Sequence, residues 1–165
     1  MNRSLQIAFA LFSLSFCIFL IRVVFAGPEA KIRQQLEALE ELVSYQAKES
    51  DISSLTKVKR LGSLFTEDVH VSIQVPGIRK QSVQGRDQIQ AAALAARKQA
   101  NSLNARLVDI EILVSDDATS ATVEATGHAT VTGETNPALQ DFLFTFKSTE
   151  NGWLISKVES VDSLR

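Results

Sequence analysis

Three stretches of the chain repeat apolar residues at helical spacing, with polar residues between them. The first, 29–46, carries its stripe at Ile32, Leu36, Leu39 and Val43. The second, 55–65, follows a polar break and carries Leu55, Val58, Leu61, Leu64 and Phe65 on one side. The third begins after Gly85 and repeats Ile89, Ala93, Ala96 and Ala100. This period of three to four residues predicts three amphipathic helices.

The rest of the chain changes to a period of two, which is typical of strands with one buried face. Apolar and polar residues alternate in a short stretch, 69–73, which lies between the second and third helices and is followed by a loop at Pro76 and Gly77. Four longer stretches follow the third helix, at 105–115, 119–132, 139–148 and 153–161. We therefore predict an α+β fold in which three helices pack on a strongly curved, mostly antiparallel sheet shaped as a cone or half-barrel.

An apolar segment at 5–26 precedes these elements and contains the single cysteine, Cys17. As a helix it would reach roughly 33 Å, enough to cross a bilayer core. Arg3 and the small residues near Ala26 equally suit a cleaved signal peptide, although the apolar stretch is long for one. We predict that residues 1–28 form a transmembrane anchor or a signal peptide. Either one exports residues 29–165 to the bacterial periplasm or the cell surface, and cleavage would release them from the membrane.

The composition excludes several classes of partner for this domain. The chain of 165 residues carries a net charge of −2 and no cluster of basic residues, so we expect no binding to nucleic acid. A single cysteine within the apolar segment leaves the exported domain without a disulfide. The spacing of the two histidines matches no metal motif, and no glycine-rich phosphate loop is present, so we expect neither metal nor cofactor.

Three short motifs occur within this order of elements: the segment Leu64–Val69, the helix start Gly85–Ile89 and the segment Gly152–Leu154 near the end. Together with the order of elements, they resemble the nuclear transport factor 2-like superfamily, which includes SnoaL-like cyclases and ketosteroid isomerases. The resemblance covers residues 32–161 and implies a cone of curved sheet around a pocket. It also implies homodimers formed through the outer face of the sheet. Because members of this fold perform many tasks, the fold does not fix the function.

The resemblance also allows catalytic positions to be compared one by one. The base of a ketosteroid isomerase would fall at Ile73, which cannot abstract a proton. Its oxyanion acid would fall at Phe142, and Asp141 is one residue away, so a bulge would be needed to bring Asp141 to the pocket. Tyr45 on the first helix could match the isomerase's phenolic donor, whereas the commoner role of such a residue is an amphipathic helix position at the rim of the pocket. These comparisons do not decide whether the protein is an enzyme, but the absence of a carboxylate at Ile73 and Phe142 favours a protein without catalytic activity.

Other side chains with acid–base chemistry are weaker candidates. His70 and Asp68 lie at the start of the first strand, where either could act as a base. A half-exposed strand histidine and a turn-forming aspartate are the commoner roles of such residues. His128 shares its strand face with polar residues, which indicates the outer surface of the sheet or a dimer contact.

The remaining chemical feature is a predicted apolar pocket. Its expected lining comprises Tyr45, Val71, Ile73, Phe142, Phe144 and Trp153. The alternative is that the same side chains fill the core, because the sequence does not fix which strand face points inward.

Three functions therefore stand as hypotheses. We prefer a membrane-tethered exported domain that binds a small apolar ligand or acts as a dimeric interaction module. The first alternative is a lyase or isomerase acting on a small apolar ketone or polyketide-like substrate, with His70 or Asp68 as the base and Tyr45 as the donor. The second alternative is a subunit of an envelope assembly.

Overall fold

The computed structural model describes residues 27–47, 49–74, 81–133 and 137–161. The helices are α1 (Pro28–Val43), α2 (Asp51–Ser63) and α3 (Arg86–Gln99). The strands are β1 (Phe65–Ile73), β2 (Gln81–Gln84), β3 (Leu103–Val114), β4 (Ser120–Val131), β5 (Ala138–Thr149) and β6 (Gly152–Val161). The predicted architecture of three helices on one curved sheet is confirmed, and the sheet forms an open cone.

The six strands form one sheet in the order β2-β1-β6-β5-β4-β3. All neighbours are antiparallel except β1 and β6, which run parallel. The first two strands differ from the sequence predictions. Strand β1 begins at Phe65 rather than at residue 69, and the short strand β2 was not predicted. Its four residues are too few to show a clear alternation.

The core lies between the helices and the inner face of the sheet. The most deeply buried large side chains are Ile32, Leu36, Leu42, Val69, Val123, Phe146 and Ile155. The prediction that Leu55 faces inward is wrong, because its side chain is 55% exposed. Helix α2 begins four residues earlier than predicted, and Leu55 lies in its second turn, away from the buried contacts at Val58 and Leu61.

A β-bulge divides the inner face of β3. The pairing of β3 with β4 shifts between Val108 and Glu111, and Asp109 within the bulge has a φ of 51°. The sequence pattern placed Val108 on the same face as Ile110. The extra residue instead puts Leu107 before the bulge and Ile110 after it on the core side. Before the bulge, the residues of β3 that face inward are therefore the odd-numbered ones, Leu103, Ala105 and Leu107.

The free edge of β3 is covered by the segment that follows α1. The backbone N–H of Tyr45 donates to the Leu103 carbonyl at 2.9 Å, and the Leu103 N–H donates back to Tyr45 at 3.0 Å. Two residues along, the Ala105 N–H donates to the hydroxyl of Ser44 at 3.0 Å. These bonds satisfy groups that an edge strand would otherwise leave open to pairing with another chain. They also fix α1 beside the open end of the sheet.

The described helices include none with the length and apolar character required to cross a membrane. The predicted apolar helix at 5–26 lies outside the described residues, so the anchor or signal peptide stays a prediction.

Candidate functional site

A cavity of about 720 Å³ opens between the helices and the inner face of the sheet. Its walls come from all three helices and all six strands. Most of the lining side chains are aliphatic or aromatic. A mainly apolar concavity of this size with a few polar groups is the usual form of a site for a small molecule.

Small side chains on α3 explain why this space is open. Ala92, Ala93 and Ala96 line the cavity together with Ile89, and no residue of α3 is fully buried. The apolar stripe predicted from the sequence thus faces a cavity for most of its length. An alanine methyl group is too short to reach the opposite wall, whereas leucine at the same positions would occupy the space.

Four of the side chains predicted to line a pocket do line this cavity, namely Val71, Ile73, Phe142 and Phe144. The two phenylalanine rings of β5 lie 6.0 Å apart between centroids and are tilted by 48°. Such aromatic pairs add a modest stabilisation beyond the apolar area they bury. They form a firm apolar wall opposite the helices.

The other two predicted lining residues belong to the core. Trp153 is 6% exposed and packs in the main hydrophobic cluster. Tyr45 is 7% exposed, and its hydroxyl donates to the Ala96 carbonyl at 3.0 Å. The guanidinium of Arg97 lies 5.0 Å from the centre of the Tyr45 ring. The phenol therefore holds the C-terminal end of α3, and neither residue lines the cavity.

The acid–base candidates of β1 lie away from the cavity. Val71 and Ile73 line it, and strand alternation places the exposed His70 on the opposite face. The His70 Nε2 atom lies 3.4 Å from the Ser82 hydroxyl of the neighbouring strand. Asp68 lies two residues before His70 in β1, and its side chain is also exposed. The structure therefore separates both residues from the enclosed space.

Asp141 also faces away from the cavity. The pairing of β4 with β5 runs without a bulge from Ser120 to Ala129, so Phe142 takes the inner position and Asp141 the outer one. The hydroxyl of Thr126 donates to the Asp141 carboxylate at 2.6 Å. This strand pair lacks the bulge that would be needed to bring Asp141 inward.

Five polar residues contribute to the cavity wall: Glu40, Gln81, Arg106, His128 and Gln140. Arg106 and His128 are paired across β3 and β4, and the residues on either side of each also line the cavity. Strand alternation directs their side chains to the outer face, so we infer that these two residues reach the wall through their backbone. This placement agrees with the outward position expected for His128.

Glu40 is the one carboxylate in the part of the cavity wall that the structure describes. It lies on α1, and its Oε1 atom accepts a hydrogen bond from the backbone N–H of Leu107 at 2.5 Å. Hydrophobic periodicity did not identify this residue. Its signal was a glutamate four residues after Leu36, at a position that continues the buried stripe.

Gln140 supplies the amide group of the cavity wall on β5. Its Nε2 atom donates to two backbone carbonyl groups, that of Asp141 at 3.2 Å and that of Val161 at 2.9 Å. Both N–H bonds of the amide are therefore engaged. The oxygen of this side chain is the group left to meet a bound molecule.

An ion-pair cluster fixes the end of α3 beside the cavity. Arg97 donates to the Leu42 carbonyl at 2.7 Å and lies 3.8 Å from the Glu49 carboxylate. Lys57 lies 2.6 Å from the same carboxylate, and Ser53 donates to it at 3.1 Å. Burial raises the pKa of Glu49, but hydrogen bonds from Lys57 and Ser53 and the charges of Lys57 and Arg97 outweigh this and lower it.

Within the described ranges, no three side chains of the metal-binding types come together in a cluster. Glu40 and Gln140 present isolated acceptors to the cavity, and they suit hydrogen bonding to an organic molecule better than coordination of a metal ion.

Comparison with known proteins gives one family match. The model of a family described as a SnoaL-like domain matches residues 34–159, which include most of α1 and nearly all of β6. No curated protein matches the chain.

Several solved structures share the fold. A nuclear transport factor 2-like protein with a cystatin-like fold from Novosphingobium aromaticivorans is 18% identical, with a TM-score of 0.61 and 86% of each chain covered. A proposed scytalone dehydratase from the same species is 18% identical, with a TM-score of 0.57 and coverage of 86% of this chain and 85% of the other. A proposed polyketide cyclase from Xanthomonas campestris is 15% identical, with a TM-score of 0.50 and coverage of 83% and 90%. At such low sequence identity, the structural similarity establishes a shared fold and no shared activity.

Proposed function

The chain belongs to the SnoaL-like domain family, and we propose that its domain binds a small, largely apolar molecule in the cavity without transforming it. The main support for ligand binding is the open cavity of about 720 Å³ with predominantly apolar walls. Burial of apolar ligand surface would drive binding, since each square ångström removed from water contributes roughly 25 cal/mol before the costs of association.

The positions of the acid–base candidates support binding over catalysis. His70 and Asp68 lie outside the cavity wall, and the hydroxyl of Tyr45 is engaged with the Ala96 carbonyl. Ile73 lines the cavity at the place where the resemblance would put a base. A general base must reach the proton that it removes, within about 3 Å or through one water molecule. The lyase or isomerase built on these three residues therefore has less support than a binding protein.

We further propose that the domain is exported and held at the membrane by residues 5–26, whose apolar sequence supports this arrangement. N-terminal sequencing of the protein from the membrane fraction tests this tether. An intact start at Met1 supports an anchor, and a start near Gly27 would show that the segment is cleaved. The homodimer implied by the resemblance stays a prediction, which native mass spectrometry would test.

Binding is tested by titrating the full-length chain with prodan, a neutral naphthalene dye whose emission shifts to the blue in apolar surroundings. The wild type is compared with Ala93→Phe, which places a ring in the cavity, and with Ala91→Phe, which adds the same ring at an exposed position outside it. The three proteins share residues 1–26, so dye partitioning into that segment cancels in the comparison. We expect saturable binding by the wild type and Ala91→Phe and a clear loss in Ala93→Phe. Equal binding by all three proteins, or no saturable binding, would overturn the proposal.

A further inference from the structure

We propose that Glu40 and Gln140 select the class of ligand, an apolar molecule that carries a hydroxyl or an amine, and that they disfavour carboxylates. This inference rests on the proposed function, because it concerns the polar recognition within the same cavity.

Glu40 places an anionic acceptor in a mainly apolar wall. One oxygen of its carboxylate accepts the Leu107 N–H, which holds the side chain against β3. No other hydrogen bond to this carboxylate occurs within the described residues, and the residue is only partly buried. Its second oxygen can therefore accept a hydrogen bond from a ligand.

Gln140 adds a neutral acceptor on β5. Its amide nitrogen donates to the carbonyl groups of Asp141 and Val161, which orients the side-chain oxygen away from these partners. A glutamine normally offers both donors and acceptors, but here the donors are already used within the sheet. Glu40 and Gln140 thus present acceptors to the same cavity.

The basic groups near the cavity do not reverse this preference. Arg106 and His128 are paired across β3 and β4, between residues that face the cavity, so strand alternation directs their side chains to the outer face of the sheet. Gln81, the first residue of β2, is exposed and carries no charge. A ligand carboxylate would consequently meet the negative charge of Glu40 without a cationic side chain in the described part of the wall.

The ligand preference follows from the hydrogen-bonding capacity of each head group. An amine donates to Glu40 and pairs with its charge, whereas an alcohol donates without a charge. A carboxylate has no hydrogen to donate and is repelled by Glu40. With the same alkyl chain, the expected order of affinity is amine, then alcohol, then carboxylate.

The test measures displacement of prodan, which has no hydrogen-bond donor, by decylamine, decanol and decanoate from the full-length chain. For the wild type we expect decylamine to bind about tenfold more tightly than decanoate, since one charge-assisted hydrogen bond typically strengthens binding by about this factor. The variant Glu40→Gln keeps the acceptor for Leu107 and removes the charge. We expect it to narrow this difference several-fold, while Glu41→Gln, at an exposed neighbouring position, leaves it unchanged.

Equal affinity of the wild type for the three probes, or tightest binding of decanoate, would overturn the inference even if Glu40→Gln failed to fold. An unchanged difference in a folded Glu40→Gln would also overturn it. Each of these results leaves the proposed function standing, because prodan still binds. Loss of prodan binding by the wild type would instead contradict the proposed function itself.

Discussion

The ring of Phe142 lies directly over Gly127 on the neighbouring strand. A Cβ atom placed on Gly127 would come within 2.6 Å of the Phe142 Cε2 atom, closer than any ordinary contact. Both residues line the cavity. The absence of a side chain at position 127 therefore sets where the aromatic ring rests and how much of the cavity stays open.

Substitution of Gly127 by alanine is expected to force the Phe142 ring toward the cavity. We predict a loss of about 1–3 kcal/mol in the free energy of unfolding, as is typical of overpacking, together with weaker prodan binding. Denaturant unfolding and dye titration measure the two effects. In a Phe142→Leu background the same substitution should cost much less, and an equal cost in both backgrounds would show that the ring is not the cause.

Replacing Tyr45 by phenylalanine separates a structural role from a binding role. The variant loses the hydrogen bond to the Ala96 carbonyl, which lies at 3.0 Å, and keeps the ring beside Arg97. We expect the free energy of unfolding to fall by about 1 kcal/mol while prodan affinity is unchanged. A large loss of prodan affinity at unchanged stability would instead show that the Tyr45 hydroxyl contacts the ligand.

Ser44 is expected to protect the edge of β3. Its hydroxyl accepts the Ala105 N–H at 3.0 Å, so Ser44→Ala leaves a partly buried donor without this partner. We predict faster hydrogen exchange at the Ala105 amide and a loss of about 1 kcal/mol in stability. Ser63→Ala, which removes an exposed hydroxyl at the end of α2, is the control. Equal exchange rates at Ala105 in the wild type and Ser44→Ala would argue against the capping role.

The lowered pKa of Glu49 predicts an acid-dependent contribution to stability. Because its folded-state pKa lies below its ordinary value of 4.5, the ionised carboxylate stabilises the fold above that pH. The contribution disappears as the pH falls through the folded-state pKa. Unfolding measured from pH 7 downward should show the wild type more stable than Glu49→Gln at neutral pH, with the difference vanishing in acid. A difference independent of pH would contradict this assignment.

Periodicity predicted the main elements because each long helix and strand has one face that meets the core. It missed β2 because four residues show little alternation, and it missed the parallel pairing of β1 with β6 because pairing depends on long-range packing. The bulge at Asp109 was also hidden, since Val108 and Ile110 continue an apparently regular alternation. The backbone conformation at one residue moved the inner face by one position.

The cavity wall was predictable on the strands and less so on the helices. Alternation identified Val71 and Phe142, but it could not show that Tyr45 binds a backbone carbonyl within the core. The alanines of α3 form a clear stripe, yet only packing shows that the space they face is open. Glu40 could not be identified from the pattern, because a glutamate on an amphipathic helix is most often a solvated surface residue.

We propose that the alanine-lined cavity holds the ligand. NMR spectra of the labelled alanine methyl groups, recorded during a prodan titration of the chain, test this placement. We predict that the methyl signals of Ala93, Ala105 and Ala129 shift together and saturate, because these residues line the cavity. The signals of Ala121 and Ala125, which are buried in the core, should stay nearly unchanged. Shifts confined to residues outside the cavity wall, or no saturable shift at the lining alanines, would contradict the account.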